Sequence, residues 1–323
     1  MRRANPLRKP LRRLYGRLNY LNGMMNLLDH QLTFSRKAFK HVLRKNKIAP
    51  SQLLLGTSLP VSDLTHWSAD GWMRFFPSGR FRARKNEYLR MMREILYREC
   101  AWAIAQGYEA FERFLKDTAA AYLHANQAEA DAGAVEKFKT RTQAKHLSSA
   151  DVEFWRTFVD TEYRGRRNGE LFRLLRSTCP DIAEAEKTNT RALDLPMWYQ
   201  AVTIVRDAVT HSGFVVSKTQ DPSGLLAGSR HSYFPSSLIS GVRVLRITDK
   251  NAECALKLFA EYAFMIYKCL SQKAGYDWRL RTRKKPSSPR PRKKQDSHRF
   301  LKKAGQSPVF DCRAGDDVEA VAT

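Results

Sequence analysis

Apolar residues recur three or four positions apart along much of the chain, which is the repeat of one face of an α-helix. Such spacing runs from Leu18 to Lys47 and again from about Glu87 to Ala125. In the second stretch, one face would carry Ile104, Tyr108, Phe111, Leu115, Ala119 and Tyr122. The pattern predicts an all-α protein with a long helix over residues 87–125.

Two shorter helices are predicted after residue 147. Ser148-Ser149-Ala150-Asp151 matches a capping box and opens a helix. Its apolar side would consist of Phe154, Trp155, Phe158, Val159 and Tyr163. Asn168-Gly169 interrupts this helix, and residues 171–176 continue helically.

Two further helices complete the pattern. Pro196 suits the first turn of a helix and Gly213 suits the position after its end, so this helix should finish near His211. Thr248 can cap a final helix that runs to about Lys273. Short strands are predicted between them at 214–216 and 242–247, within an otherwise loop-like insertion.

The remaining segments lack a helical repeat. Residues 1–16 are predicted to form a flexible basic arm, 48–85 a loop, and 126–147 a mobile link or frayed helix. Residues 276–323 are predicted to be a disordered basic tail. The segment 48–85 also holds aromatic residues among arginines. These would stack on unpaired bases or pack an extension onto the domain, and packing is the favoured interpretation. The aromatic residues are Trp67, Trp72, Phe75, Phe76 and Phe81.

Charge changes this picture because most of the net +25 lies at the two ends. Residues 1–48 hold 13 Lys/Arg and one acid, and residues 279–303 hold 12 Lys/Arg and one acid. Such ends attract polyanions without reading sequence, which favours nucleic acid. A localising tail and adhesion to an acidic membrane are the alternatives. The predicted nucleic-acid-binding residues are Arg281, Arg283, Lys284, Lys285, Arg290, Arg292, Lys293 and Lys294.

The five cysteines form no C-x-x-C pair, and their number is odd. This argues against a disulfide framework and a zinc site, and favours a reducing, cytoplasmic location. Cys100, Cys254 and Cys269 are predicted to be buried, inert thiols. No apolar run approaches the roughly 20 residues that span a bilayer. No metal and no cofactor is predicted.

The candidate chemistry lies at the end of the helix that finishes near His211. Arg206 is a permanent cation whose planar fork suits a phosphate. His211 can take or give a proton near neutral pH, and Asp207 can orient either neighbour. Five positions turn Arg206 and His211 about 140° apart on an ideal helix, so they need not touch within one chain. They would share a phosphate if the helix end bends or if two chains pair.

The run from Arg206 to His211 resembles the mark of the HEPN superfamily of helical nucleases and nucleotide-binding proteins. That mark is Arg, then Asn, Asp or His, then three residues, then His. Residues 103–117 look like the early core helix of the family, and residues 245–270 look like its closing helix. The resemblance covers roughly residues 87–275. It leaves residues 1–86 as a basic arm with a helical, aromatic-rich extension, and 276–323 as a tail.

The resemblance implies a four- or five-helix bundle that forms a homodimer with two facing motifs. The implied activity is metal-independent endonucleolytic RNA cleavage, giving a 2′,3′-cyclic phosphate and a 5′-OH, as in toxins and phage-defence effectors. His211 would be the general acid/base, Arg206 would stabilise phosphoryl charge, and Asp207 would position either residue. The resemblance also implies an antitoxin or regulatory partner. Some toxins of the family are controlled by modification of a Tyr two residues after the His, but this chain has Gly213 at that position, so the same control is not expected.

Other residues are candidates for the cleft around the motif. Thr210 and Ser212 flank His211. Glu109 and Glu112 lie on the early helix, where one of them would face inward and pair with Arg206, although a solvated face is the plainer interpretation. His231 lies in the following loop, where an ordinary surface histidine is the plainer interpretation. Two alternative functions stay open. One is a non-catalytic RNA- or nucleotide-binding scaffold, and the other is a helical interaction protein whose basic ends bind ribosomes, membranes or an acidic partner.

Overall fold

A computed structural model describes residues 4–47, 49, 53–57, 61–62, 74–75, 81–141, 146–163, 169–217, 219–221, 225–226, 233–239 and 241–280. This part of the chain is mostly helical, as predicted. The helices are α1 (Arg8–Lys45), α2 (Lys85–Ala125), α3 (Ala132–Thr140), α4 (Val152–Glu162), α5 (Gly169–Thr178), α6 (Asp181–Lys187), α7 (Leu195–His211) and α8 (Asp249–Lys273). The strands are β1 (Leu53–Thr57), β2 (Val61–Ser62), β3 (Arg74–Phe75), β4 (Phe81–Arg84), β5 (Val215–Val216), β6 (Ser236–Ile239) and β7 (Val242–Leu245).

The described residues divide into two compact units. The first lies within Met1–Tyr15, Phe111–Trp198 and Ala260–Thr323, and the second lies within Gly16–Ala110 and Tyr199–Phe259. The predicted long helix is confirmed as α2, and all six residues of its predicted apolar face are buried.

The first unit begins with a helix where a flexible arm was predicted, so that prediction is wrong. Leu7, Leu11 and Leu14 are at most 2% exposed, because their spacing places them on one buried side of α1. Pro10 falls in the first turn, where its missing N–H costs no hydrogen bond. Asn5 fixes the start: its Oδ1 accepts from Leu7 N at 3.0 Å, and its Nδ2 donates to Ser271 Oγ at 2.9 Å.

Two other boundaries in this unit differ from prediction. Within residues 126–147, predicted as a mobile link or frayed helix, α3 is capped by Asp131, whose carboxylate accepts from Ala134 N at 3.1 Å. It buries Phe138 against Phe154 and Phe158. The capping box before α4 does not form, because α4 starts at Val152 without a side-chain cap. Ser148 Oγ instead accepts from Ala150 N.

A half-buried ion pair with a buried carboxylate lies in the first unit. Arg176 donates to both carboxylate oxygens of Glu186 at 2.8 and 3.0 Å, and Tyr262 OH donates to the same carboxylate. Glu186 is only 5% exposed, so these three bonds replace the water that it gives up. Burial, followed by the negative charge of Glu186, raises the pKa of Tyr262 far above its ordinary value. The cluster is fully paired and is therefore structural.

The second unit contains the strands, most of which were not predicted. β1 pairs antiparallel with β4, and β2 with β3, inside the segment predicted as a loop. The glycines and prolines within residues 48–85 are typical of loops, so these short strands were not predicted. The predicted strands near 214–216 and 242–247 are present as β5 and β7, which β6 extends to a three-stranded antiparallel sheet.

Only one side of α1 in the second unit is buried. Leu21, Met25 and Leu43 are buried, whereas Met24 and Phe34, which belong to the same apolar spacing, are 49% and 75% exposed. The predicted final helix is confirmed as α8. Thr248 caps it, since its Oγ1 accepts from Asn251 N at 3.3 Å. α2 and α8 approach closely at Gly107, where a Cβ atom would lie 2.7 Å from Leu256 Cδ2.

No disulfide links the described cysteines, and burial shifts the pKa of their thiols. Cys100, Cys179 and Cys269 are buried, and burial raises the pKa of Cys100 to about 12 and that of Cys269 to about 11. The predicted burial is therefore confirmed for Cys100 and Cys269, and their raised pKa disfavours the reactive thiolate. Cys254 is only half-buried, so the prediction of full burial is wrong there.

The start of the predicted disordered tail is ordered. Tyr276 is 6% exposed, and Trp278 lies edge-on to Phe264 with the ring centroids 6.2 Å apart. Asp277 O accepts from Asn5 Nδ2 at 3.2 Å. The apolar contacts of Tyr276 and Trp278 hold this segment in place, although most of its neighbouring residues are polar. The predicted nucleic-acid-binding residues from Arg281 to Lys294 lie outside the described residues.

Candidate functional site

The candidate site is built on the C-terminal half of α7. Ala201, Val205 and Ala208 are fully buried and fix this side of the helix against the core of the second unit. The helix ends at His211, as predicted. Gly213 follows with φ +57°, a conformation that glycine adopts without strain, and Phe214 N donates back to Ala208 O at 2.9 Å.

Arg206 is held by three groups. Its Nη1 donates to Asp207 Oδ1 at 2.7 Å, and its Nε lies 3.3 Å from Glu109 Oε1. The second contact is an ion pair by distance, although its alignment does not make a hydrogen bond. The guanidinium carbon lies 5.3 Å from the centroid of the Tyr108 ring, which itself stacks on Tyr199 at 5.3 Å. Carboxylates and aromatic rings thus fix the guanidinium from two sides.

The charge of Arg206 is secure in this setting. Burial tends to lower its pKa, but the negative charges of Asp207 and Glu109 outweigh burial, and the pKa is raised above its ordinary value. The side chain of Arg206 is 26% exposed, so one edge still faces solvent. Glu109 is 59% exposed, and an ion pair in water of this kind contributes at most about 1 kcal/mol. A phosphate can therefore compete with Glu109 for this guanidinium.

His211 occupies a different situation. It is exposed at the last position of α7, and no hydrogen bond or ion pair within the described part of the chain engages its ring. An imidazole so placed is open to a substrate or a second molecule. The structure joins Arg206 to Asp207 and Glu109, but no described polar contact joins any of them to His211.

The other predicted cleft residues have local partners or cannot be placed. Thr210 Oγ1 donates to Arg206 O at 2.8 Å, which is an ordinary bond within a helix. Ser212 Oγ accepts from Gln220 Nε2 at 2.8 Å and so ties the helix end to the following loop. His231 lies outside the described residues.

Several residues that contact the motif were not predicted from the sequence. Tyr108 was interpreted only as a core residue of α2, and neither its contact with Arg206 nor its stacking on Tyr199 was foreseen. Arg98 was also missed: its guanidinium carbon lies 5.4 Å from the centroid of the Phe214 ring, just after the motif. These contacts join α2 to the end of α7 over more than 90 positions of sequence, and no local pattern reports such a pairing.

Comparison with known proteins identifies no relative. No family model, no curated protein and no solved structure matches this chain. Among the helices of the described residues, none combines the length and the apolar character that crossing a bilayer requires.

Proposed function

We propose that the chain is a metal-independent endoribonuclease of HEPN type, with Arg206 and His211 as its catalytic pair. One observation carries the proposal. A guanidinium that is fixed by Asp207, Glu109 and Tyr108 lies one and a half turns before an exposed imidazole at a helix end. These are the two group types that cleavage through the RNA 2′-OH needs.

In the proposed reaction, the 2′-oxygen bonds to the adjacent phosphorus while the bond from phosphorus to the 5′-oxygen breaks. A neutral imidazole accepts the proton of the 2′-OH, and a protonated imidazole donates one to the departing 5′-oxygen. The products are a 2′,3′-cyclic phosphate and a 5′-OH. Two roles call for two imidazoles, which a homodimer with facing copies of His211 would supply.

Arg206 would stabilise the charge that builds on the non-bridging phosphoryl oxygens. Asp207 positions it through the 2.7 Å bond to Nη1, and phosphate would bind in place of the exposed carboxylate of Glu109. The chain carries its own electrostatic stabilisation in this scheme, so cleavage is expected to persist in EDTA.

A second candidate function is a non-catalytic RNA- or nucleotide-binding scaffold. The observation in its favour is that Arg206 already lies between the two carboxylates of Asp207 and Glu109, which reduce its pull on a phosphate. A scaffold would bind RNA through the basic ends and leave it uncut. The two candidates differ in what the His211 ring does.

The test is incubation of defined RNA with the full chain in EDTA, followed by analysis of the ends. We expect cleavage with 2′,3′-cyclic phosphate ends, reduced at least about 100-fold in Arg206→Ala and in His211→Ala. Arg36 and His41 on α1 have the same five-residue spacing, and His41 is exposed. His41→Ala is therefore the matched control and should cut like the wild type. Intact RNA with the wild-type chain, or equal loss in His41→Ala, contradicts the nuclease.

A further inference from the structure

One exposed aromatic side chain near the motif has no role in the mechanism above. Trp102 on α2 is 39% exposed, although a tryptophan in a helix of this kind usually faces the core. The residues on either side of it in sequence, Ala101 and Ala103, are buried. The indole therefore projects from the solvent side of α2.

Two contacts locate Trp102 relative to α7. Glu109 of α2 meets Arg206, and Arg98 of α2 meets Phe214, so the two helices run antiparallel in this region. Arg98 and Glu109 are about 16 Å apart along α2, and Trp102 lies between them, about 6 Å from the level of Arg98. This is the level of the end of α7, where Thr210 and His211 are exposed.

Helical geometry also places Trp102 on the correct side of α2. At about 100° per residue, Arg98, Trp102 and Glu109 fall within an arc of about 40°. Arg98 at one edge of this arc and Glu109 in its middle contact the segment that contains the motif, and Trp102 lies at the other edge, between them only along the helix axis. The indole between them therefore lies along the edge of the candidate site, with the Arg98 cation on one side and the Arg206 cluster on the other.

We infer that Trp102 is a stacking platform for an unpaired base of single-stranded RNA, next to the phosphate that Arg206 and His211 engage. An indole face stacks on any base, and such stacking contributes about 1–3 kcal/mol per base. Arg98 is exposed and would meet the neighbouring phosphate. A paired base is not free to stack in this way, so the site selects single strands. The inference rests on the proposed RNA substrate.

The alternative occupant of this surface is a protein partner. Ile95 is 44% exposed two turns earlier on the same side of α2, so Ile95 and Trp102 form a short apolar pair. An aliphatic side chain contributes to a protein interface but offers no π face to a base. Ile95→Ala is therefore the matched control that separates the two interpretations.

The experiment measures binding of a fluorescent single-stranded RNA 12-mer and of a hairpin duplex at one fixed salt concentration. The full chain carries His211→Ala, so that the RNA stays intact. We expect Trp102→Ala to weaken binding of the single strand about tenfold, Trp102→Phe to restore most of it, and Ile95→Ala to leave it unchanged. Duplex binding should not respond to any of these changes.

Three results overturn the platform. These are equal losses of RNA affinity in Trp102→Ala and Ile95→Ala, equal losses of affinity for the single strand and the duplex, and a change of oligomeric state in Trp102→Ala.

The failure of the platform and that of the nuclease are distinguishable in the chain that keeps His211. If the wild type cuts RNA and the Trp102→Ala variant has the same KM for that RNA as the wild type, only the platform fails. If Trp102 supports single-strand binding but the wild type never cuts, only the nuclease fails. If no variant binds RNA, both fail.

Discussion

The side chain of Arg206 is held by its neighbours and is still partly exposed to solvent. Asp207 holds it through a short charge-assisted bond, whereas Glu109 holds it through a longer and more exposed contact. The guanidinium carbon also lies 5.3 Å from the centroid of the Tyr108 ring. Of the two carboxylate contacts, that with Glu109 is the longer and the more exposed, so we expect an incoming phosphate to displace it first. Glu109 is then a competitor of the substrate rather than a catalytic group.

Glu109→Gln tests this competition because it removes the charge and keeps the size of the side chain. We expect single-stranded RNA to bind about two to five times more tightly, since an exposed ion pair contributes about 0.2–1 kcal/mol. The measurement is the Kd at low salt. Glu112→Gln removes the same charge one turn further along α2, where the carboxylate pairs with Lys116 at 3.6 Å. If Glu112→Gln tightens binding equally, net charge is the cause and the competition is absent.

At the scale of elements, the close approach of α2 and α8 depends on Gly107. A methyl group there would lie 2.7 Å from Leu256 Cδ2 and 3.2 Å from Phe259, both of which are buried. We expect Gly107→Ala to lower the free energy of unfolding by about 1 kcal/mol, because overpacking costs more than the better helix former contributes. Urea unfolding followed by circular dichroism gives the difference.

Gly23 is the matched control, since it lies inside α1 with nothing within 4 Å of the added methyl group. Gly23→Ala should therefore raise the free energy of unfolding by up to about 1 kcal/mol. Opposite signs for the two substitutions would establish that close packing explains Gly107. Stabilisation by both would mean that α8 can move away from α2.

The elements divide into those that local pattern predicts and those that it does not. α2, α7 and α8 were predicted because each has a long apolar face and a clear end signal, such as Gly213 after α7. The start of α1 lies within the predicted basic arm and was missed, although Pro10 lies in the first turn, where proline is tolerated. The short pairing of β1 with β4 depends on residues about 25 positions apart.

The candidate site also combines features that a local pattern predicts with features that it does not predict. The positions of Arg206, Asp207 and His211 at the end of one helix were predictable, because a helix and its end are local properties. A pairing of Arg206 with Glu109 or Glu112 was considered from the sequence beside a solvated face, and the structure contains the contact with Glu109. The support from Tyr108 and Tyr199 and the position of Arg98 were not predictable. They depend on which helices become neighbours, and only the packed structure decides this.

At the scale of the whole chain, the distribution of charge is the main feature. The 13 bases within residues 1–48 lie largely on α1, a folded helix, rather than on the flexible arm that was predicted. Those within residues 279–303 belong almost entirely to the part outside the described residues. The bases between the two ends are nearly balanced by acids. Attraction of a polyanion should therefore depend on which bases are removed and not only on the net charge.

Replacing Arg290, Arg292, Lys293 and Lys294 by Gln tests this dependence and lowers the formal net charge from +25 to +21. Each phosphate contact on single-stranded RNA contributes about 0.7 to the slope of log Kd against log salt concentration, so we expect the slope to fall by up to about 3. Replacing the exposed Lys137, Lys187, Lys250 and Lys257 by Gln gives the same net charge and should leave the slope nearly unchanged. Equal slopes for the two variants would mean that net charge alone drives the attraction, and the second basic end would then have no special part in binding.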